Sequence, residues 1–325
     1  MTVLAEPHDV DREPSARVIA LRPAAGRHAA GGPSPEVVGL AQDVEEPVSA
    51  PRTAGRHVVE DLSHHVPDPA ARSLVRELED VVTRMHTHGA LPALRVDLRE
   101  LLGAWAAALV RLHRTPLTPT TPVADLPWVL TEPLPTWLDD LPGDLGPVWA
   151  VRAHPGVQRA VRAARASWSA VQWTHGEATG DEVVVTRTKG VVRATLLGSH
   201  DRSAPDGDLA PARAGRSGCG DPRWDVATAL DWVALALGPA LDPAWHLDPV
   251  GTFVAQYREL GGDALPDRTT AVARTLASAV EWSAQLTLAG DPTDDERAWL
   301  AGLWSRPLDL VGRARATGAP GLRSS

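Results

Sequence analysis

At 325 residues the chain is long enough for two packed lobes, because a single hydrophobic core stops growing near about 250 to 300 residues. Its 41 acidic residues against 32 basic ones leave a net charge of −9, which argues against a nucleic-acid binder. No apolar stretch is long and uncharged enough to span a membrane, and the lone cysteine, Cys219, excludes both a disulfide framework and a multi-thiolate metal cluster.

Residues 1–16 are polar, proline-bearing and without period, so a disordered tail is expected there. They hold no apolar core of signal-peptide length; export is not expected, and a reducing cytoplasm fits the cysteine usage. ARVIALRP and RHVVEDL read as short strands, with a helix at PSPEVVGLAQDVEEP between them, so residues 17–66 form at most a reduced, sheet-containing N-terminal lobe.

From residue 67 to 315 the pattern is mainly helical. In DPAARSLVRELEDVVTRMH, Leu74, Val75, Leu78, Val81, Val82 and Met85 recur at spacings of three and four. Leu101, Leu102, Trp105, Ala108, Leu109 and Leu112 do the same in LRELLGAWAAALVRLH. Residues 115–149 are rich in proline and tryptophan and read as an irregular connection with a short helix. VQRAVRAARASWSAVQW reads as a helix. The basic stretch VRAHPGVQRAVRAARA is either a solvated helix face or a surface for an anionic partner. EVVVTRTKGVVRATLL is a hairpin turning at Lys189 and Gly190. GSHDRSAPDGDLAPARAGRSGCGDP reads as a long loop. Further helices follow at RWDVATALDWVALAL, PVGTFVAQYRELGG and RTTAVARTLASAVEWSAQLTLAG, then one opening on a capping box at Thr293 and Glu296, before a frayed tail at 316–325.

A helix ending in Leu-His, then HGEATGDE, a hairpin, a loop, GDPRWDVA and FVAQYRELGG occur in an order that resembles the aminoglycoside and choline phosphotransferase branch of the kinase-like fold. The resemblance covers residues 95–300 well and 17–62 weakly, and GDPRWDVA with FVAQYRELGG is its most specific part. It implies an α+β, two-lobed kinase-like fold with a truncated N-terminal sheet lobe. It also implies a structural brace at Asp221 and Asp225, with Asp225 at a helix N-terminus capping free amides and tying down the neighbouring loop, and His175 packed within that loop.

Phosphoryl transfer needs a cation on the nucleotide phosphates, magnesium ligands, a carboxylate near the attacking hydroxyl and a glycine-rich cover. Set against the family pattern, each is altered. Lys189 is the sole lysine and follows the catalytic loop; only Arg22 occupies a plausible phosphate site, and a planar guanidinium is no simple substitute for an ammonium. Residues 1–16 contain no glycine for a cover. Glu177 stands where the family has its aspartate base, a methylene too long for ångström-level placement. Glu182 stands at the metal-binding asparagine in a chain that contains no asparagine, and VVRATLL ends in Leu197 where a metal-binding aspartate belongs, leaving Asp201 as the nearest carboxylate.

The favoured expectation is a degenerate member, a pseudokinase without nucleotide or metal, binding a peptide, small molecule or protein partner, with a place in natural-product biosynthesis as one setting. One alternative is an active ATP- and Mg²⁺-dependent phosphotransferase on a hydroxyl of a small molecule or peptide, with Glu177 as base, Glu182 and Asp201 on the metal and Arg22 on phosphate. Another is an unrelated enzyme reusing the cleft, with His200, Asp201, Asp206 and Asp208 on a metal.

Overall fold

Helix α1 (Leu74–His88) forms because its apolar residues fall on one stripe, and all six expected positions are buried at 0–1% exposure. Helix α2 (Pro92–His113) starts with proline at its first position, where the missing N–H costs no hydrogen bond. Its stripe buries Leu101, Leu102, Trp105, Ala108 and Leu109, whereas Leu112 is only half-buried. Trp105 is the centre of this layer. It meets Trp232 at 5.7 Å and Phe253 at 5.3 Å, both edge-on, the geometry that the charge distribution of aromatic rings favours.

A computed structural model describes residues 71–136, 138, 146–197 and 217–288. After α2 come a single turn at Trp128–Leu130 and helices α3 (Gly146–Ala153) and α4 (Pro155–Ala166). Strand β2 (Gln172–Thr174), a turn at Gly180–Glu182 and the hairpin β3 (Val183–Thr188) and β4 (Val191–Leu196) follow. Strand β5 (Gly218–Gly220) leads into α5 (Pro222–Trp232), which continues through a π-helical stretch at Val233–Leu237 into one turn, α6 (Gly238–Ala240). The last described helices are α7 (Pro249–Glu259) and α8 (Arg268–Leu288). The chain is thus mixed α and β, with small sheets among many helices.

The hairpin turns where expected. Lys189 and Gly190 have φ of 51° and 79°, so the two-residue turn has positive φ at both positions, matching the twist of the strands it joins. Val183, Val185 and Ala194 face the core at 1–2% exposure. The segment Arg72–Ser73, read from sequence as part of a helical region, is instead a strand, β1, that pairs with Val184 and Val185 and extends the hairpin to three strands.

Two further readings change. The helix expected to run from Val157 to Trp173 ends at Ala166, and residues 172–174 form β2, because backbone pairing with β5 supplies hydrogen bonds that a continued helix would forgo. For the same reason the end of the expected long loop is a strand, and β5 also takes a bridge from Val123. The strands of the reduced N-terminal lobe, the capping-box helix, both tails, and the positions Arg22 and Asp201 lie outside the described residues.

Helix α5 is where the two apolar clusters meet. One cluster joins α1, α2, the hairpin, α5 and α7; the other joins α4, α8, the Trp128 turn and Trp224. Every residue from Trp224 to Trp232 is buried, as expected for a helix covered on all sides. Gly180 packs flat on the Trp232 ring; a methyl there would come within 2.7 Å of a ring that is only 4% exposed and has nowhere to move. Gly180→Ala is therefore expected to destabilise the protein by about 1–3 kcal/mol in urea denaturation, the usual range for overpacking. A neutral result would show that the turn can lift off the ring.

Candidate functional site

The site is built on the pairing of β2 with β5. The register Gln172↔Gly220, Trp173↔Cys219 and Thr174↔Gly218 runs antiparallel, so the chain entering the loop at His175 lies beside Ser217, and α5 turns back to run along β2. The side chain of Ser217 accordingly donates to the His175 carbonyl at 3.1 Å. Asp221, at the start of α5, caps it by accepting from the Arg223 amide at 3.1 Å, and it also accepts from the Ser169 amide at 3.0 Å. Its carboxylate is gripped by the Arg223 guanidinium, which reaches on to Asp267 at 2.9 Å.

Asp225 lies one turn further along α5 and has no exposed surface. The capping duty expected of it falls to Asp221. Its two oxygens go instead to the backbone amides of the loop, His175 at 2.7 Å and Gly176 at 2.8 Å. Behind it, His113 Nε2 lies 3.2 Å from Oδ2, and a carboxylate only accepts, so this nitrogen is the donor. His113 Nδ1 in turn lies 3.0 Å from the hydroxyl of Tyr257. Burial raises the Tyr257 pKa, so its hydroxyl keeps its proton.

His175 is 4% exposed and both ring nitrogens are engaged. Nδ1 accepts from the Glu177 amide at 3.3 Å, which leaves Nε2 to donate to the Leu197 carbonyl at 2.5 Å. The ring therefore links the loop to the end of β4. Glu177 is half-buried, and its carboxylate lies in the field of the buried guanidinium of Arg274. Glu182 is 7% exposed, and its carbonyl accepts from the Leu197 amide at 2.8 Å. Asp181 accepts from Trp232 Nε1 at 3.2 Å.

At the end of β4 the backbone N–H and C=O of Leu197 are both taken, and its side chain has no oxygen to offer. Among the described residues no three His, Cys, Asp or Glu side chains converge in a way that could hold a metal ion.

A second polar cluster lies where α5 meets α8, and sequence reading missed it. Asp231 accepts from Thr275 Oγ1 at 2.7 Å and also feels the Ser278 hydroxyl and Arg274. The Arg274 guanidinium sits 5.5 Å above the Trp224 ring and pairs with both oxygens of Glu281, at 2.8 and 3.2 Å; Glu281 also accepts from Trp128 Nε1 at 3.1 Å. The available signal was a single acid inside the apolar run VATALDWVALAL. His113 and Tyr257 stand in two of the segments that carry the resemblance, the helix ending in Leu-His and FVAQYRELGG, but nothing in the sequence joins them to Asp225. Comparisons of the chain with protein-family models, curated proteins and solved structures gave no match.

Two outcomes are expected from this chemistry. Asp225→Ala strips the acceptor from two amides and a histidine, and should cost about 3–5 kcal/mol of stability, against about 2 kcal/mol for Asp225→Asn, which keeps one acceptor oxygen. Equal losses in chemical denaturation would mean that only one of the two amide bonds matters. At Asp231, burial raises the carboxyl pKa against the pull of the Ser278 hydroxyl, Arg274 and Thr275. The folded state thus holds this proton more tightly than the unfolded chain does at its ordinary value of about 3.9, so the group's contribution is full below that pH and is lost as pH rises through the folded value. Asp231→Asn should gain stability relative to the native chain as pH climbs from about 4 towards neutrality. A gap that narrows over that range would show that the ionised form is the favoured one.

Proposed function

We propose that the chain is a degenerate, kinase-like protein of the aminoglycoside and choline phosphotransferase type, and that it acts as a pseudokinase binding a peptide, small molecule or protein partner without using ATP. On this reading residues 67–315 correspond to the large helical lobe of a two-lobed fold. The reading rests chiefly on the grip of Asp225 on the amides of His175 and Gly176, with His113 and Tyr257 behind it. That brace gives the loop the stiffness a catalytic loop requires. Yet it spends the loop's polar groups on structure, and the positions that should carry metal ligands offer a buried glutamate and a leucine.

Magnesium bound to a triphosphate must exchange water for several hard oxygen ligands. Glu177 adds a further difficulty. A catalytic base must reach the substrate hydroxyl, and Glu177 carries its carboxylate one methylene further from the backbone than the family's aspartate would.

Thermal denaturation with millimolar Mg²⁺–ATP tests the proposal. A ligand at about 100 times its Kd adds about 2.7 kcal/mol, equivalent to a rise of a few degrees in a protein of this size. No saturable rise is expected. A rise that needs both magnesium and ATP, joined by phosphoryl transfer that Glu177→Gln abolishes, would establish an active phosphotransferase instead.

A further inference from the structure

Between Asp144 and Glu177 the sequence contains no acidic residue, although acids outnumber bases over the whole chain. This interval folds as α3, α4 and the approach to β2. Helix α4 sets one face into the protein: Val157 and Ala164 are 1% and 3% exposed, and Ala160 and Val161 pack against the same cluster. The opposite face carries Arg159, Arg162 and Arg165, with Gln158, Ala163 and Ala166 exposed among them. Arg159 and Arg162 stand one turn apart and make no ion pair among the described residues. Arg165 pairs with Glu132 at 2.9 Å, but that glutamate side chain is 78% exposed, so the pair is weak and readily exchanged for another carboxylate.

Another exposed concentration of arginines behaves differently. In the groove between α1 and the hairpin, Arg72 and Arg187 are paired with Glu77, at 2.7 and 3.2 Å, and Arg84 with Asp97 at 3.1 Å. Those charges are answered from within the chain. On α4, Arg159 and Arg162 make no ion pair among the described residues, and Arg165 meets only the exposed Glu132.

We propose that the exposed face of α4 is a docking surface for an acidic segment of another protein, with carboxylates of the partner meeting Arg159, Arg162 and Arg165 and the small alanines letting its backbone come close. This goes beyond the reading of the cleft and holds whether or not a nucleotide binds. Charge complementarity selects the occupant. Guanidinium forks bind carboxylates two oxygens at a time. At physiological salt a charge is felt over about 8 Å, so a short acidic segment responds to the local arginines, whereas a nucleic acid extending past them meets a protein of net charge −9. The face also lacks an exposed aromatic ring on which a base could stack. A membrane surface fits less well, because the apolar side of α4 is already buried in the protein and the outer side offers only alanine methyls.

The test uses the full chain and a fluorescein-labelled synthetic helical peptide with glutamates at every third or fourth position, beside the same peptide with glutamines. Anisotropy titrations at about 50 and about 300 mM NaCl separate specific charge pairing from its screened limit. Binding of the glutamate peptide alone is expected, weaker at the higher salt, at least tenfold weaker in Arg159→Glu/Arg162→Glu, and unchanged in Arg99→Glu, an exposed arginine on α2. Circular dichroism checks that the double variant folds; if it does not, Arg159→Gln/Arg162→Gln replaces it with the same expectation. Three results would overturn the proposal: undiminished binding by the double variant, tighter binding of a single-stranded oligonucleotide or of anionic vesicles through the same arginines, or self-association in sedimentation that the double variant abolishes, which would make the partner a second copy of this chain.

Discussion

A buried loop outside regular secondary structure leaves its backbone amides without the partners that a helix or sheet would give them, and each such amide left unpaired is costly. In this protein the amides of His175 and Gly176 are answered by the single carboxylate of Asp225, which has no exposed surface. The rest of the site follows from that arrangement. For Asp225 to reach the loop, α5 must run along β2, which requires β5 to pair with β2 in the observed register. His113 at the end of α2 then reaches the carboxylate and is itself held by Tyr257 in α7, so four separate parts of the chain are joined in one hydrogen-bonded chain.

The interior between α5 and α8 depends on the same kind of constraint. Asp231, Thr275, Arg274, Glu281 and Trp128 form a polar layer inside an otherwise apolar cluster. An apolar layer of equal volume would be at least as stable, since burying charges costs several kcal/mol per ion before their attraction is counted. What the polar layer adds is register. Sliding α8 along α5 by one residue would carry Thr275 away from Asp231 and Arg274 away from the Trp224 ring. Hydrophobic side chains alone tolerate such shifts more easily than a hydrogen-bonded set does.

Rigidity at the loop and readiness at the surface are thus divided between different parts of the protein. Around His175 nearly every polar atom is used by a neighbour, which makes the region a firm platform and leaves few groups free for chemistry. On the outer face of α4 the reverse holds: the guanidinium groups stand in solvent, and among the described residues Arg159 and Arg162 make no ion pair while Arg165 meets only the exposed Glu132.

What the sequence determined by itself was local. The stripe of α1, most of the stripe of α2 and the Lys189–Gly190 turn depend on spacings of a few residues, and those spacings are written directly in the chain. Only the tertiary structure decided what joined across distance. The Asp225 oxygens reach amides 49 and 50 residues away, and Thr275 meets Asp231 over 44 residues. The short strands β2 and β5 belong to the same class: one was hidden at the end of an apparent helix and the other at the end of an apparent loop, since three residues carry no period of their own. Their conformation is set by a partner's backbone hydrogen bonds, and a backbone hydrogen bond leaves almost no mark on the identity of the side chains that make it.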